Sequence, residues 1–168
     1  MFRTIAEDLK AHREGILAQG FWAVLVYRFS HPRMRCRVPV VRQLWFVVNR
    51  LMGKWIEMTT GIMLPESVIV GRRLSIEHFG SIIIHGKAVI GDDCVLRQGV
   101  TIGNLDAVRN AAPRLGNRVQ VGAGAKIIGG VTIGDDAVIG ANAVVLQDVP
   151  AGALAVGIPA QIKLRRAS

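Results

Sequence analysis

Residues 119–145 read VQVGAGAKIIGGVTIGDDAVIGANAVV and divide into sixes: VQVGAG, AKIIGG, VTIGDD, AVIGAN and a closing AVV. Each unit opens on an apolar, variable, apolar triplet and closes on residues rich in Gly, Asp and Asn. Such a triplet is a short strand whose first and third side chains share one face. The first is usually small and the third a larger aliphatic, so both are expected to point inward. Working outward, the same triplets recur at 62–64, 68–70, 74–76, 82–84, 88–90, 94–96, 100–102 and 113–115. Strands this short cannot bury a face alone, but stacked coils bury it continuously. The pattern therefore predicts a mainly β fold, a triangular parallel β-helix of hexapeptide repeats, with three strands per turn. Corners about eighteen regular residues apart then stack in one column, with about 4.8 Å between coils. Cys94 holds a first position, which assigns it to packing rather than chemistry.

The rest of the composition fits this plan. With 168 residues and 51% apolar content, the chain suits one compact domain plus a short accessory segment. Its 21 Lys and Arg against 12 Asp and Glu give a net charge of +9, compatible with a phosphorylated cofactor, a membrane surface, nucleic acid or simply a solvated basic face. Nucleic-acid binding has only that charge in its favour and no reading motif, so it is not predicted. Cys36 and Cys94 are too few for a disulfide scaffold or a cysteine metal cluster, which fits a reducing compartment and a cytoplasmic address. The start MFRTIAEDLK lacks the basic, then apolar character of a signal peptide. The longest apolar run, Phe21 to Tyr27, is far short of the roughly 20 residues of a spanning helix.

We divide the chain into a helical N-terminal segment (1–60), the β-helix (61–157) and a basic tail (158–168). Thr4 with Glu7 forms a candidate capping box ahead of a short helix that Gly15 would end. Val41, Leu44, Trp45, Val48, Leu51, Met52 and Trp55 recur at helical spacing and predict an amphipathic helix over 39–57. Packing of its apolar face against the rest of the protein or a sister subunit is preferred. Peripheral docking on a membrane, given the surrounding arginines, is the second option.

Two corners break the rule of three. Glu77 to Ser81 is five residues long and lets the side chain of His78 leave the core, and Gly103 to Ala112 is ten long. In a solenoid such insertions often form the binding face. Counting corners in threes puts Arg97-Gln98-Gly99, Gly122-Ala123-Gly124 and Gly140-Ala141-Asn142 in the column above His78. Three coils span roughly 14 Å, comparable to a pantetheine arm. Small residues let a thin ligand approach the backbone closely. Gly and Ala suit tight corners anywhere, but that does not explain their alignment over the one histidine on a widened corner. Lys163, Arg165 and Arg166 are candidates for a nucleotide's phosphates.

The stretches IEHFGSIIIHGKAVIGDDC (76–94), LRQGVTIG (96–103), VGAGAKIIGGVTIGDDAVIGANAVVLQDVP (121–150) and AVGIPAQI (155–162) together resemble the hexapeptide-repeat acyltransferases, closest to the serine acetyltransferase branch. The resemblance implies a left-handed β-helix, a homotrimer, and acetyl-CoA in a groove between neighbouring subunits with a histidine at its inner end. That histidine is His78. The pantetheine contacts fall on Gly103, Ala123 and Ala141, with Gly122 beside them. The departures lie on the other side. The family's Asp-His pair is Glu77-His78 here, its Arg-His pair at the end of the long loop falls on Ala111 and Ala112, and its upstream aspartate falls near Met63. The short N-terminal segment is more similar to the colanic-acid-type branch.

The implied activity is acetyl transfer from acetyl-CoA to a hydroxyl, with His78 as general base and Glu77 orienting it or binding the acceptor. Gln98 and Arg109 are candidate substrate-binding residues. Gln98 would bind acceptor or thioester, and Arg109 would replace the missing clamp. Amides near Gly99 or Gly103 are candidate donors to the tetrahedral oxyanion. A sugar of a surface or exopolysaccharide is the expected acceptor; serine is the alternative, and a non-catalytic assembly module is a rival of another class. Related metal enzymes resemble one another in using three histidine ligands. Only His78 and His85 are available in the repeats, in different columns, so no metal is predicted.

Overall fold

The structure, a computed structural model, describes residues 2–105 and 111–164. Three α-helices come first: α1 (Phe2–Ala11), α2 (Gln19–Ser30) and α3 (Pro39–Thr60). The strands follow as β1 (Ile62–Met63), β2 (Ile69–Val70), β3 (Ser75–Glu77), β4 (Ile82–Ile84), β5 (Val89–Ile90), β6 (Val95–Arg97) and β7 (Thr101–Gly103). Beyond the long corner come β8 (Arg114–Leu115), β9 (Gln120–Val121), β10 (Lys126–Ile128), β11 (Thr132–Ile133), β12 (Val138–Ile139), β13 (Val144–Val145), β14 (Leu154–Val156) and β15 (Gln161–Lys163). All thirteen expected triplets carry a strand.

From β1 to β14, consecutive strands never pair. Each pairs with the strand one coil away, which makes three sheets: β1-β4-β7-β10-β13, β2-β5-β8-β11 and β3-β6-β9-β12-β14-β15. All pairings are parallel except that of β15 with β14. Gln120 faces Val138, 18 residues on, where corners are regular; Ser75 faces Val95, 20 residues on, across the widened corner. The insertions are thus absorbed in the corners without shifting the strands. Inside, Leu74, Ile76, Ile82, Ile84, Ala88, Ile90, Cys94, Leu96, Val100 and Ile102 are all at most 2% exposed, so first and third triplet positions do face inward.

The first coil leaves the lower edges of β1, β2 and β3 without a strand partner, and open edges of this kind invite pairing with other chains. The N-terminal segment covers them with side chains. Thr60 Oγ1 accepts from the Ile62 N–H (3.2 Å) on β1. Tyr27 Oη donates to the Val68 carbonyl (2.8 Å) and accepts from the Val70 N–H (3.2 Å) on β2. Arg28 donates to the carbonyls of Val70 and Gly71 while forming a two-pronged pair with Asp8, which is 1% exposed. His12 Nε2 accepts from the Ile76 N–H (3.1 Å) on β3. Gly20 packs so closely on the same residue that a Cβ there would lie 2.2 Å from the Ile76 carbonyl oxygen.

Several expectations need correction. Thr4 lies inside α1, and Glu7 pairs with Arg72 and Arg3 instead of capping the helix. The helix ends at Ala11, and Gly15 (φ +56°) forms the turn beyond it. The α3 helix continues to Thr60, where Gly61 (φ +66°) caps it. Residues 161–163, assigned to the tail, form β15. The α2 helix has no counterpart in the sequence reading.

Changing Tyr27 to Phe strands two backbone groups at the edge of β2. We expect a loss of about 1–3 kcal/mol in unfolding free energy. A urea midpoint equal to wild type would contradict the edge-capping role.

Candidate active site

The widened corner follows β3, whose last residue, Glu77, pairs in register with Arg97 of β6. Seven described non-glycine residues have positive φ. Arg73, Ser81, Asp93, Arg118, Asp136 and Asn142 each occupy the last place of their corner, where the turn requires it. His78 (φ +66°) is the exception, forced into the left-handed region near the start of its corner. This conformation is unfavourable for a residue with a Cβ, and strain of this kind collects at functional sites. The result is an exposed imidazole that makes no hydrogen bond to any described residue.

The column above it is continuous. Gly99 N–H donates to the Gly80 carbonyl (2.9 Å), Gly124 N–H to Gln98 (2.8 Å) and Asn142 N–H to Ala123 (2.8 Å). A Cβ on Gly122 would lie 2.6 Å from the Ala141 nitrogen, and one on Gly124 would lie 2.0 Å from Asn142 Oδ1. Coil stacking therefore accounts for these two glycines without a ligand. The exposed Ala141 and half-exposed Ala123 are under no such demand, and they mark the open wall of the file.

Comparisons with known proteins place the coil that carries this corner in a family. The bacterial transferase hexapeptide family (six repeats) matches residues 112–147. A serine acetyltransferase of Helicobacter pylori is 38% identical over 163 residues, covering 95% of this chain and 91% of that protein. The chain belongs to the hexapeptide-repeat acetyltransferases, serine acetyltransferase-like branch. WcaB of Escherichia coli K12, an acetyltransferase named for colanic acid biosynthesis, is 36% identical over 163 residues, covering 94% of this chain and 98% of that one. A serine acetyltransferase solved in complex with CoA superposes with a TM-score of 0.81 at 29% identity, over 96% of this chain and 69% of that chain. The coil shares the left-handed β-helix of these enzymes, and the protein is an acyltransferase.

Within this acetyltransferase, Glu77 makes its ion pair with Arg97, whose Nε donates to Glu77 Oε2 at 3.0 Å. The structure thus ties Glu77 to the next coil and shows no hydrogen bond between it and His78. Counting corners places Arg97 in the column above His78 but does not pair it with Glu77. Lys126 escaped the sequence reading. From β10 its Nζ donates to the Gly99 carbonyl (2.5 Å) and Thr101 Oγ1 (3.1 Å), putting a half-buried cation beside the file. Gln98 is exposed in the file, one coil above His78.

Other candidates lie apart. Gly103 ends β7, at the opposite end of its sheet from the file, so a single chain does not bring it to Ala123 or Ala141. Lys163 pairs with Leu154, at the end of β14 away from the file, because β15 folds back antiparallel. Arg109 and Arg165 lie outside the described residues. Glu66 is held by Arg33 and Asn49, a structural role. His85 Nδ1 accepts from the Lys87 N–H in another column, and among the described residues no group of three His, Cys, Asp or Glu is placed to hold a metal. Cys94 is fully buried, and burial pushes its thiol up to about 11, consistent with packing.

One titratable group beneath the site was also missed. His12 is 4% exposed; because Nε2 accepts from Ile76, the proton sits on Nδ1 and is donated to the Asp8 carbonyl at 2.8 Å. Burial lowers its pKa, outweighing the bond to Asp8 and the charges of Asp8 and Glu77, which raise it. The folded protein therefore keeps His12 neutral at pH values where the unfolded chain takes up a proton. Stability from this group is full above the unfolded value of about 6.5 and falls as pH drops below it, until His12 is protonated in both states. We expect a slope of at most about 1.4 kcal/mol per pH unit in that window, flattened in His12→Gln. Urea titrations at several pH values provide the check, and an equally steep fall in the variant would contradict it.

Proposed function

We propose that the protein transfers the acetyl group of acetyl-CoA to a sugar hydroxyl, on the cytoplasmic side, within a homotrimer whose sites lie between neighbouring subunits. The observation that carries this reading is His78, turned outward by a strained corner at the foot of the file. Its imidazole takes the acceptor's hydroxyl proton as the oxygen attacks the thioester carbonyl. Collapse of the tetrahedral intermediate breaks the C–S bond, and the departing thiolate regains the proton from His78. Corner amides such as that of Gly99 are the candidate donors to the oxyanion. The pantetheine arm runs past Ala123 and Ala141, and a neighbouring subunit supplies Gly103 from its own long corner. Gln98 faces the reacting groups, and Arg97 holds Glu77 ready for an acceptor hydroxyl.

The acceptor reading rests on the loop. The family's amino-acid clamp falls on Ala111 and Ala112, neither of which offers a side-chain donor, and the match to WcaB spans nearly that whole protein. Serine is the second reading, favoured by the 38% identity to the Helicobacter pylori serine acetyltransferase.

His78→Ala should lower turnover by a factor of about 10²–10⁴ while leaving acetyl-CoA binding and assembly intact. Thiol release, followed against sugar nucleotides, serine and homoserine with product masses recorded, should show a sugar as the best acceptor. Near-normal turnover in the variant overturns the role of His78, and rapid O-acetylserine formation overturns the sugar reading.

A further inference from the structure

The α3 helix buries little of itself. Asn49, Ile56 and Thr60 face the protein, while Val41, Leu44, Val48, Leu51, Trp55 and Met58 form a stripe on another side that stays open, with Leu44, Leu51 and Met58 at 65, 68 and 76% exposure. Val40 and Val47 widen it. An apolar face of this extent on a monomer marks an interaction site.

Charge decides what covers it. From residue 28 to residue 60 the chain has seven Lys and Arg and one carboxylate, Glu57. Arg28 and Arg33 are spent on Asp8 and Glu66, and Lys54 pairs with Glu57 at 2.8 Å. Arg35, Arg37, Arg42 and Arg50 make no ion pair with described residues. The first three cluster at the N-terminal end of the stripe, and Arg50 and Lys54 border it. The 3-4 spacing of the stripe would also suit a second α3, but pairing two copies in parallel would bring these unpaired arginines together. No described helix is long and apolar enough to cross a membrane. A broad apolar face with a cationic surround and an aromatic in the stripe has the chemistry of a helix lying in the plane of an anionic lipid interface.

We propose that α3 is a membrane-docking helix that seats this face on anionic phospholipid. Gly61 joins α3 directly to β1, so the docked helix holds the first coil, and His78 with it, near the lipid surface. That placement deepens the proposed function by selecting a lipid-linked glycan as acceptor, and this part rests on the sugar reading. The lipid contact itself does not.

Co-sedimentation of the full chain with phosphatidylcholine vesicles, with and without about one-third phosphatidylglycerol, tests the contact separately from catalysis. Binding is expected to the anionic vesicles only and to weaken with salt. Leu51→Glu with Trp55→Glu changes exposed positions only and should cut partitioning at least about tenfold. Replacing Arg35, Arg37 and Arg42 by Gln, which leaves the stripe intact, should cut it about a hundredfold. Thiol release with a soluble acceptor should be unchanged in both. Wild-type protein left in the supernatant overturns the proposal. So does a double-Glu variant that binds vesicles normally but changes assembly mass, which would make the face a subunit interface.

Discussion

A solenoid of short strands has one physical difficulty: the first coil has no coil beneath it. Its carbonyls and amides must still be satisfied, because a buried backbone group without a partner costs as much as a lost hydrogen bond. In this acetyltransferase the N-terminal helices answer with side chains reaching the edges of all three sheets. Thr60 serves β1, Tyr27 and Arg28 serve β2, and His12 serves β3. Such capping is what a stack of repeats requires to end cleanly. It explains why a segment of only three helices sits where it does.

The same device sets the position of the proposed catalytic corner. Ile76, held by His12 and pressed by Gly20, is two residues before His78. Directly above, Glu77 is tied to Arg97, and the Gly80 carbonyl to the Gly99 amide. The corner is therefore fixed from below by the helices and from above by the second coil. A strained backbone at His78 persists because both neighbours are anchored, as strain at functional sites generally requires. The exposed imidazole thus sits on a packed first coil, and no hydrogen bond to a described residue occupies either ring nitrogen.

The β-helix was legible in the sequence because its core repeats every six residues and each triplet states its own inward face. Counting in threes also placed His78 under Gln98, Ala123 and Ala141. The remainder depended on distances that repeat arithmetic does not contain. QGFWAVLVYRFS (19–30) is apolar almost all round, so α2 lacked the one-sided pattern that reveals a surface helix. His12 acts on a backbone amide 64 residues away, for which no motif exists. Lys126 serves a carbonyl one coil below. The grouping of Gly103 with the file came from resemblance, and that of Lys163 from its charge, rather than from counting, and in one chain neither lies beside it. The glycines of the file proved ambiguous in isolation, since Gly122 and Gly124 are demanded by the coil beyond them.

The claim at the centre is that the thioester carrier lies along one ridge, with its sulfur at the widened corner. A crystal structure of the wild-type assembly with CoA tests it most directly. The account predicts the arm in contact with Ala123 and Ala141 and the sulfur about 3–4 Å from the imidazole of His78, close enough for attack by a hydroxyl held between them. CoA lying along the ridge of Glu66 and His85 instead, or with its sulfur several coils from His78, would contradict it.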